Sequence, residues 1–274
     1  MNNIIHGDCR FILKDIPDNS IDSIITDPPY PCIDRDYGYW TEPEWHALIH
    51  EIVYQARRIL KPTGSAVFIL HPNSEKIGVM RSWLWEFMTW CCKEWNIIQD
   101  VYWWNVVTMP SAHCNRKNGL MRSSLKTCVW VGDPSCYRNQ EAILWATSDA
   151  FAAEKREDRI RVTQPSGYNV CRHAIKQTVR DRGGVTPFNV IPMGNTDSTN
   201  KHSASTPKKL CYYWINYICP PNGVVLDPFC GHGNIPLTAV ELGRNFIGIE
   251  QHPEFVEIAK KRIKQFQSGD LFAV

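Results

Sequence analysis

Residues 223–250 read GVVLDPFCGHGNIPLTAVELGRNFIGIE, and their order decides the architecture. Val224-Val225-Leu226 is a short β-branched run of the kind found in buried strands. It ends at Asp227-Pro228-Phe229, passes through a tight turn holding Gly231 and Gly233, and continues into a helical stretch from Leu237 to Leu242. Phe246-Ile247-Gly248-Ile249 is a second strand and ends at Glu250. Strand, glycine turn, helix, strand and terminal acid is the logic of a nucleoside-binding βαβ unit. The glycines let backbone approach a ligand, and the acid at the second strand's tip accepts hydrogen bonds from ribose hydroxyls.

Far upstream, the apolar run Ile21-Asp22-Ser23-Ile24-Ile25-Thr26 leads into Asp27-Pro28-Pro29-Tyr30. A carboxylate at a strand end can accept a hydrogen bond from an amine. Two prolines donate no backbone hydrogen and restrain the loop, so that a carbonyl can turn into a pocket. The tyrosine offers a flat face on which a base can stack. An acid followed by Pro-Pro is, taken alone, a stiff turn after a strand; the second motif gives it a partner.

The rest of the chain has a regular order. Asn3 to His6 forms a short strand leading to Gly7-Asp8, then a helix through Phe11-Ile12-Leu13. Residues 31–41 form an aromatic, polar loop before Glu42-Pro43-Glu44-Trp45 opens a helix, with Pro43 in its first turn. Leu48, Ile49, Ile52, Val53, Ala56 and Leu60 recur at helical spacing, and Lys61-Pro62-Thr63-Gly64 closes that helix. Further strands are expected at Ser65–Leu70, Ile97–Trp104 and Cys128–Val131, with a helix at Trp83–Trp95.

The two motifs together resemble those of the DNA amino-methyltransferases, which move a methyl group from S-adenosylmethionine to adenine N6 or cytosine N4. The resemblance implies that Asp27, Pro28, Pro29 and Tyr30 are catalytic and that Asp227, Phe229, Gly231 and Gly233 bind the cofactor. The fold it implies is α/β and Rossmann-like: a doubly wound, mostly parallel seven-stranded sheet, circularly permuted, with a small inserted target-recognition region. Residues 1–134 then form the catalytic half, 135–200 the target-recognition region and 201–274 the cofactor-binding half. With Val224–Leu226 central, strand order reverses between the strands ending at Asp227 and Asp27. Ligands of open α/β sheets bind at such a switch point.

The same resemblance places Glu250 at the cofactor ribose and Asp8 at the cofactor adenine. It places His202, Ser205 and Thr206 at the methionine carboxylate, although a Ser or Thr there is also an ordinary N-cap. The family's Gly-Ser-Gly-Thr turn is here Gly231-His232-Gly233-Asn234, and His232 reads as a solvent-facing loop residue. For DNA contact, two basic stretches stand out: Arg116, Lys117 and Arg122, and Arg159, Arg161, Arg172, Lys176 and Arg180.

Composition agrees. A chain of 274 residues can bury one large core plus an appendage, and a net charge of +2 gives no global cationic field. Eleven cysteines without a CxxC pair, no cleavable signal and no long apolar span point to a reduced cytoplasmic protein without a membrane partner or a metal site. Cys91-Cys92 reads as packed thiols, and most of the eleven tryptophans as core. The reading is therefore a DNA adenine-N6 methyltransferase of restriction-modification type, acting on a flipped base in double-stranded DNA. Cytosine N4 is the alternative, a non-catalytic DNA-binding relic a remote one, and a homodimer stays open.

Overall fold

The computed structural model describes residues 2–35, 38–108, 114, 116–146, 161–163, 169–171, 179, 181–194 and 206–269. Two compact units emerge: 1–138 with 189–274, and 139–188.

In chain order the first unit contains β1 (Asn2–His6), α1 (Cys9–Asp15), β2 (Ile21–Thr26), α2 (Glu42–Ile59), β3 (Leu60–Leu70) and the hairpin β4 (Ser74–Lys76)–β5 (Val79–Met80). There follow α3 (Trp83–Glu94), β6 (Ile97–Trp104) and β7 (Leu125–Gly132). The second unit holds a 3₁₀ turn (Gln140–Ile143) and an antiparallel pair, β8 (Arg161–Thr163) with β9 (Asn169–Cys171). An isolated bridge joins Trp145 to Val185, and Arg182 bonds Glu141 at 2.8 Å within the same unit. The chain returns to the first unit with β10 (Val190–Pro192), α4 (Lys208–Ile218), β11 (Val224–Asp227), α5 (Asn234–Glu241), β12 (Asn245–Glu250) and α6 (Pro253–Ser268).

The main sheet runs β1-β12-β11-β2-β3-β7-β6-β10. Only β7 lies antiparallel to its neighbours. The expected switch point is therefore present: β11 is flanked by β12 on one side and β2 on the other, both parallel to it. The sheet has eight strands rather than seven, because Val190–Pro192 pairs in parallel with Tyr102–Trp104. Three residues carry too short a pattern to be read as a strand.

Burial explains the arrangement. All six residues of β2 are buried, including Asp22, Ser23 and Thr26, as a central strand covered on both faces requires. Asp22 is satisfied by Lys61 Nζ at 2.8 Å and by the Val224 amide at 2.7 Å, tying β2 to both of its neighbours. α2 starts with a capping box between Thr41 and Glu44 and buries Leu48, Ile49, Ile52, Val53, Ala56 and Ile59 along one face. Its end differs from expectation. The helix stops at Ile59, and Leu60 already pairs with Ile21; Lys61–Gly64 forms an irregularity before Ser65 meets Ser23.

One apolar layer holds Trp103, Trp130 and Trp214, the other Trp45, Trp83, Phe68 and Phe87. Five tryptophans are thus fully buried and Trp40, Trp90 and Trp95 pack against the core, whereas Trp85 and Trp104 are exposed. The adjacent thiols also divide: Cys91 is buried and Cys92 exposed, because neighbouring helical positions face different ways. Among the described residues no helix is long and apolar enough to cross a membrane, and no cluster of side chains could hold a metal ion.

Candidate active site

The C-terminal ends of β1, β12, β11 and β2, with the N-terminal end of the antiparallel β7, surround a cavity of about 550 Å³. Asp8, Asp27, Pro28, Pro29, Tyr30, Thr206, Asp227, Phe229, Gly231 and Glu250 all line it. Asp27 and Glu250 lie far apart in the chain, and the sheet order brings them to one crevice.

On the β2 side, the loop after Asp27 is held by its own backbone acceptors. The Trp45 indole donates to the Pro29 carbonyl at 2.7 Å, and Asn73 Nδ2 donates to the Pro31 carbonyl at 2.6 Å. Those carbonyls are thereby occupied. The Asp27 carboxylate accepts from three groups: the Tyr30 hydroxyl on Oδ1, and Thr206 Oγ1 at 2.9 Å and Lys126 Nζ at 3.2 Å on Oδ2. Lys126 also donates to the Tyr30 hydroxyl at 3.0 Å. The Tyr30 ring lies 6.5 Å from that of Trp83, inclined by 25°.

On the β11–β12 side, the turn after Asp227 is built around two carboxylates. Glu250 accepts from the Gly231 amide at 2.9 Å and from the His252 amide at 2.8 Å. Asp227 accepts from Thr26 Oγ1 at 2.7 Å and from the Phe229 amide at 3.1 Å, joining β11 to β2 at their tips. Burial raises the Asp227 carboxyl from 3.8 to about 7; Glu250 and Asp27 add to the rise, while the two hydrogen bonds oppose it. Gly231 and Gly233 both have positive φ, 49° and 79°. A Cβ on Gly231 would meet nothing within 4 Å, whereas one on Gly233 would stand 2.8 Å from Ala259 Cβ. The first glycine leaves room for a ligand and the second lets α6 close on the turn.

A family model described as "DNA methylase" (N6_N4_Mtase) matches residues 21–261. The chain belongs to this N6/N4 DNA methylase family. Among its relatives, the type II methyltransferase M.HinfI of Haemophilus influenzae is 27% identical over 97% of the chain and 69% of its own length. M.PvuII of Proteus hauseri is 24% identical over 91% of the chain and 80% of its own length. A solved structure titled PvuII DNA methyltransferase (cytosine-N4-specific) superimposes with a TM-score of 0.73 at 19% identity, covering 95% of this chain and 86% of that one. A structure titled M1.HpyAVI-SAM complex gives 0.59 at 21% identity, covering 96% and 99%.

Within this N6/N4 methylase several expected residues stand elsewhere than the sequence suggests. His232 is half-buried and lines the cavity, its ring 4.6 Å from that of Phe255, rather than facing solvent. Thr206 is not the N-cap of α4. Pro207 occupies that position without a side-chain cap, and the Thr206 hydroxyl is committed to Asp27. Asp8 caps α1 through the Arg10 amide at 2.9 Å and pairs with the Arg10 guanidinium, which holds its carboxyl below the usual range. Arg116, Lys117 and Arg122 are exposed. Arg161 opens β8. His202, Ser205, Arg159, Arg172, Lys176 and Arg180 lie outside the described residues, as does the side chain of Arg161.

Three contributors escaped the sequence reading. Lys126 and Trp45 bond the loop after β2 directly. Asn234 ties the glycine turn to Thr206, donating to the Thr206 carbonyl at 2.8 Å while Arg262 donates to its Oδ1 at 2.8 Å.

Proposed function

We propose that this methylase transfers a methyl group from S-adenosylmethionine to the N6 amine of an adenine flipped out of double-stranded DNA. The observation that carries this reading is the shared cavity: an acceptor carboxylate, Asp27, faces the same space as the glycine turn and Glu250. The donor set fits the cofactor. Glu250 retains acceptor capacity beyond its two amide bonds for ribose hydroxyls. Gly231 leaves open space beside the turn. Bound S-adenosylmethionine supplies an electrophilic methyl group on sulfur.

The chain's own residues supply position. Asp27 and the Pro28 carbonyl accept hydrogen bonds from the target amine and aim its lone pair, and such alignment supplies much of the rate. The amine loses its proton most easily once nitrogen carries positive charge, and Asp27 stands ready to receive it. Tyr30 and the apolar cavity wall hold the extruded base. We assign sequence reading to the unit 139–188 and phosphate contact to the exposed Arg116, Lys117 and Arg122.

The acid-led Asp27 motif favours adenine. Cytosine N4 is the second reading, favoured by the likeness to the cytosine-N4-specific PvuII structure. Incubation with S-adenosylmethionine and unmethylated duplex DNA, followed by nucleoside mass spectrometry, separates them. N6-methyladenine supports the first reading, N4-methylcytosine the second, and no methylated base defeats both.

A further inference from the structure

Lys126 has no part in the roles assigned above. It lies on β7 in the same alternation phase as the buried Cys128 and Trp130, so its side chain enters the cavity rather than solvent. Its ammonium stands 3.2 Å from Asp27 Oδ2 and 3.0 Å from the Tyr30 hydroxyl. The rings of Trp103 and Tyr30 flank it, with centroids at 5.0 and 5.4 Å. A largely desolvated ammonium is costly unless it is paired. These contacts place it beside the carboxylate that receives the target amine.

We propose that Lys126 and Asp27 together read the Watson–Crick edge of the flipped base: Asp27 accepts from the exocyclic amine, and Lys126 donates to the ring nitrogen next to it. This inference rests on the base-methylation reading above. The pair has a fixed polarity, since an ionised carboxylate only accepts and an ammonium only donates. Adenine presents its N6 amine beside the acceptor N1, and cytosine its N4 amine beside the acceptor N3. Guanine and thymine present the reverse order, a carbonyl oxygen beside a ring N–H. Either would set oxygen against Asp27 and hydrogen against the ammonium. Guanine's N2 amine on that edge also adjoins N1–H, so the pair admits the two bases whose amine adjoins a ring acceptor and rejects the other two. Without a base, Lys126 and Asp27 satisfy each other; the incoming edge replaces that one contact with two of the same polarity.

The test uses the full chain and begins with the methylated base and its sequence context, read from unmethylated genomic duplex DNA after incubation with S-adenosylmethionine. Duplexes carrying that site are then made with the natural target or its ring-deaza analogue, 1-deazaadenine or 3-deazacytosine. Wild type loses about tenfold in kcat/KM on the deaza duplex, as the loss of one charged hydrogen bond implies. Lys126→Met treats both duplexes alike, and Lys126→Arg keeps the preference. The comparison between proteins cancels the altered nucleophilicity of the analogue. Unchanged cofactor affinity by calorimetry shows that Lys126→Met is folded. The ratio of wild-type to Lys126→Met duplex affinity, in which both nucleophilicity and the weakened base pair of the analogue cancel, falls likewise on the analogue. A ratio indifferent to the deaza substitution, or equal deaza sensitivity of kcat/KM in wild type and Lys126→Met, overturns the proposal. No methylated base from wild type defeats the underlying reading instead.

Discussion

The indole N–H of Trp45 reaches from α2 to the carbonyl of Pro29, 2.7 Å away, and the ring that carries it is fully buried. The loop after Asp27 is thus anchored by a core residue rather than by a surface contact. Trp45→Phe keeps most of the packing but leaves the carbonyl without its donor. Stability is expected to fall by about 1–3 kcal/mol, read by urea unfolding. Turnover is expected to fall further than cofactor affinity, because the loss acts on the loop that positions Asp27.

Asp27→Ala removes the carboxylate proposed to accept from the target amine. The expected loss in kcat is roughly 10²–10⁴-fold, the usual contribution of a positioned acid–base group. Cofactor binding, measured by calorimetry, stays close to wild type because the Glu250 turn is untouched. Retained turnover would remove Asp27 from the chemistry.

The two turn glycines should fail differently. Gly233→Ala combines a positive φ with a Cβ 2.8 Å from Ala259, and a cost of about 2–4 kcal/mol is expected. Gly231→Ala meets open space, so the strain of its φ alone costs about 1–2 kcal/mol. Its methyl group enters the cofactor side of the cavity, weakening S-adenosylmethionine binding by about tenfold, equivalent to about 1.4 kcal/mol. Thermal unfolding and calorimetry on both variants separate the effects.

Asp227 couples stability to pH. Its carboxyl is raised by burial from 3.8 to about 7 in the folded chain, so folding takes up a proton between those values. Stability from this group is therefore present at low pH and lost as pH rises from about 4 through 7. Asp227→Asn removes the titration, keeps an acceptor for Thr26 and the Phe229 amide, and should flatten the dependence. Its melting temperature relative to wild type is expected to rise between pH 5 and pH 8. A constant difference across that range would sink the assignment.

Much of the site was readable because local pattern and topology agree. The run from Val224 to Glu250 carries its strand, turn and acid in one stretch, and Asp27 ends a run with an equally clear strand pattern. Lys126 escaped because its position depends on strand direction: only the phase it shares with Cys128 and Trp130 turns it inward. Thr206 was expected in the site, but its bond to Asp27 was hidden for the opposite reason. Its local pattern offers a plausible cap, and a residue 179 positions away claims the hydroxyl instead. Trp45 looked like core, and is core; its indole donor has a target that no helical spacing reveals.

The order of strands also sets a timetable for synthesis. β1 precedes the other strands of its sheet in the chain, yet its hydrogen-bonding partner is β12, which closes at residue 250. β2 likewise waits for β11, and Asp27 for the hydroxyl of Thr206. A nascent chain emerging from the ribosome can pair β2 with β3 early, but the crevice stays unbuilt until β12 has been translated. A product interrupted before β12 therefore carries Asp27-Pro28-Pro29-Tyr30 without the crevice that these residues line.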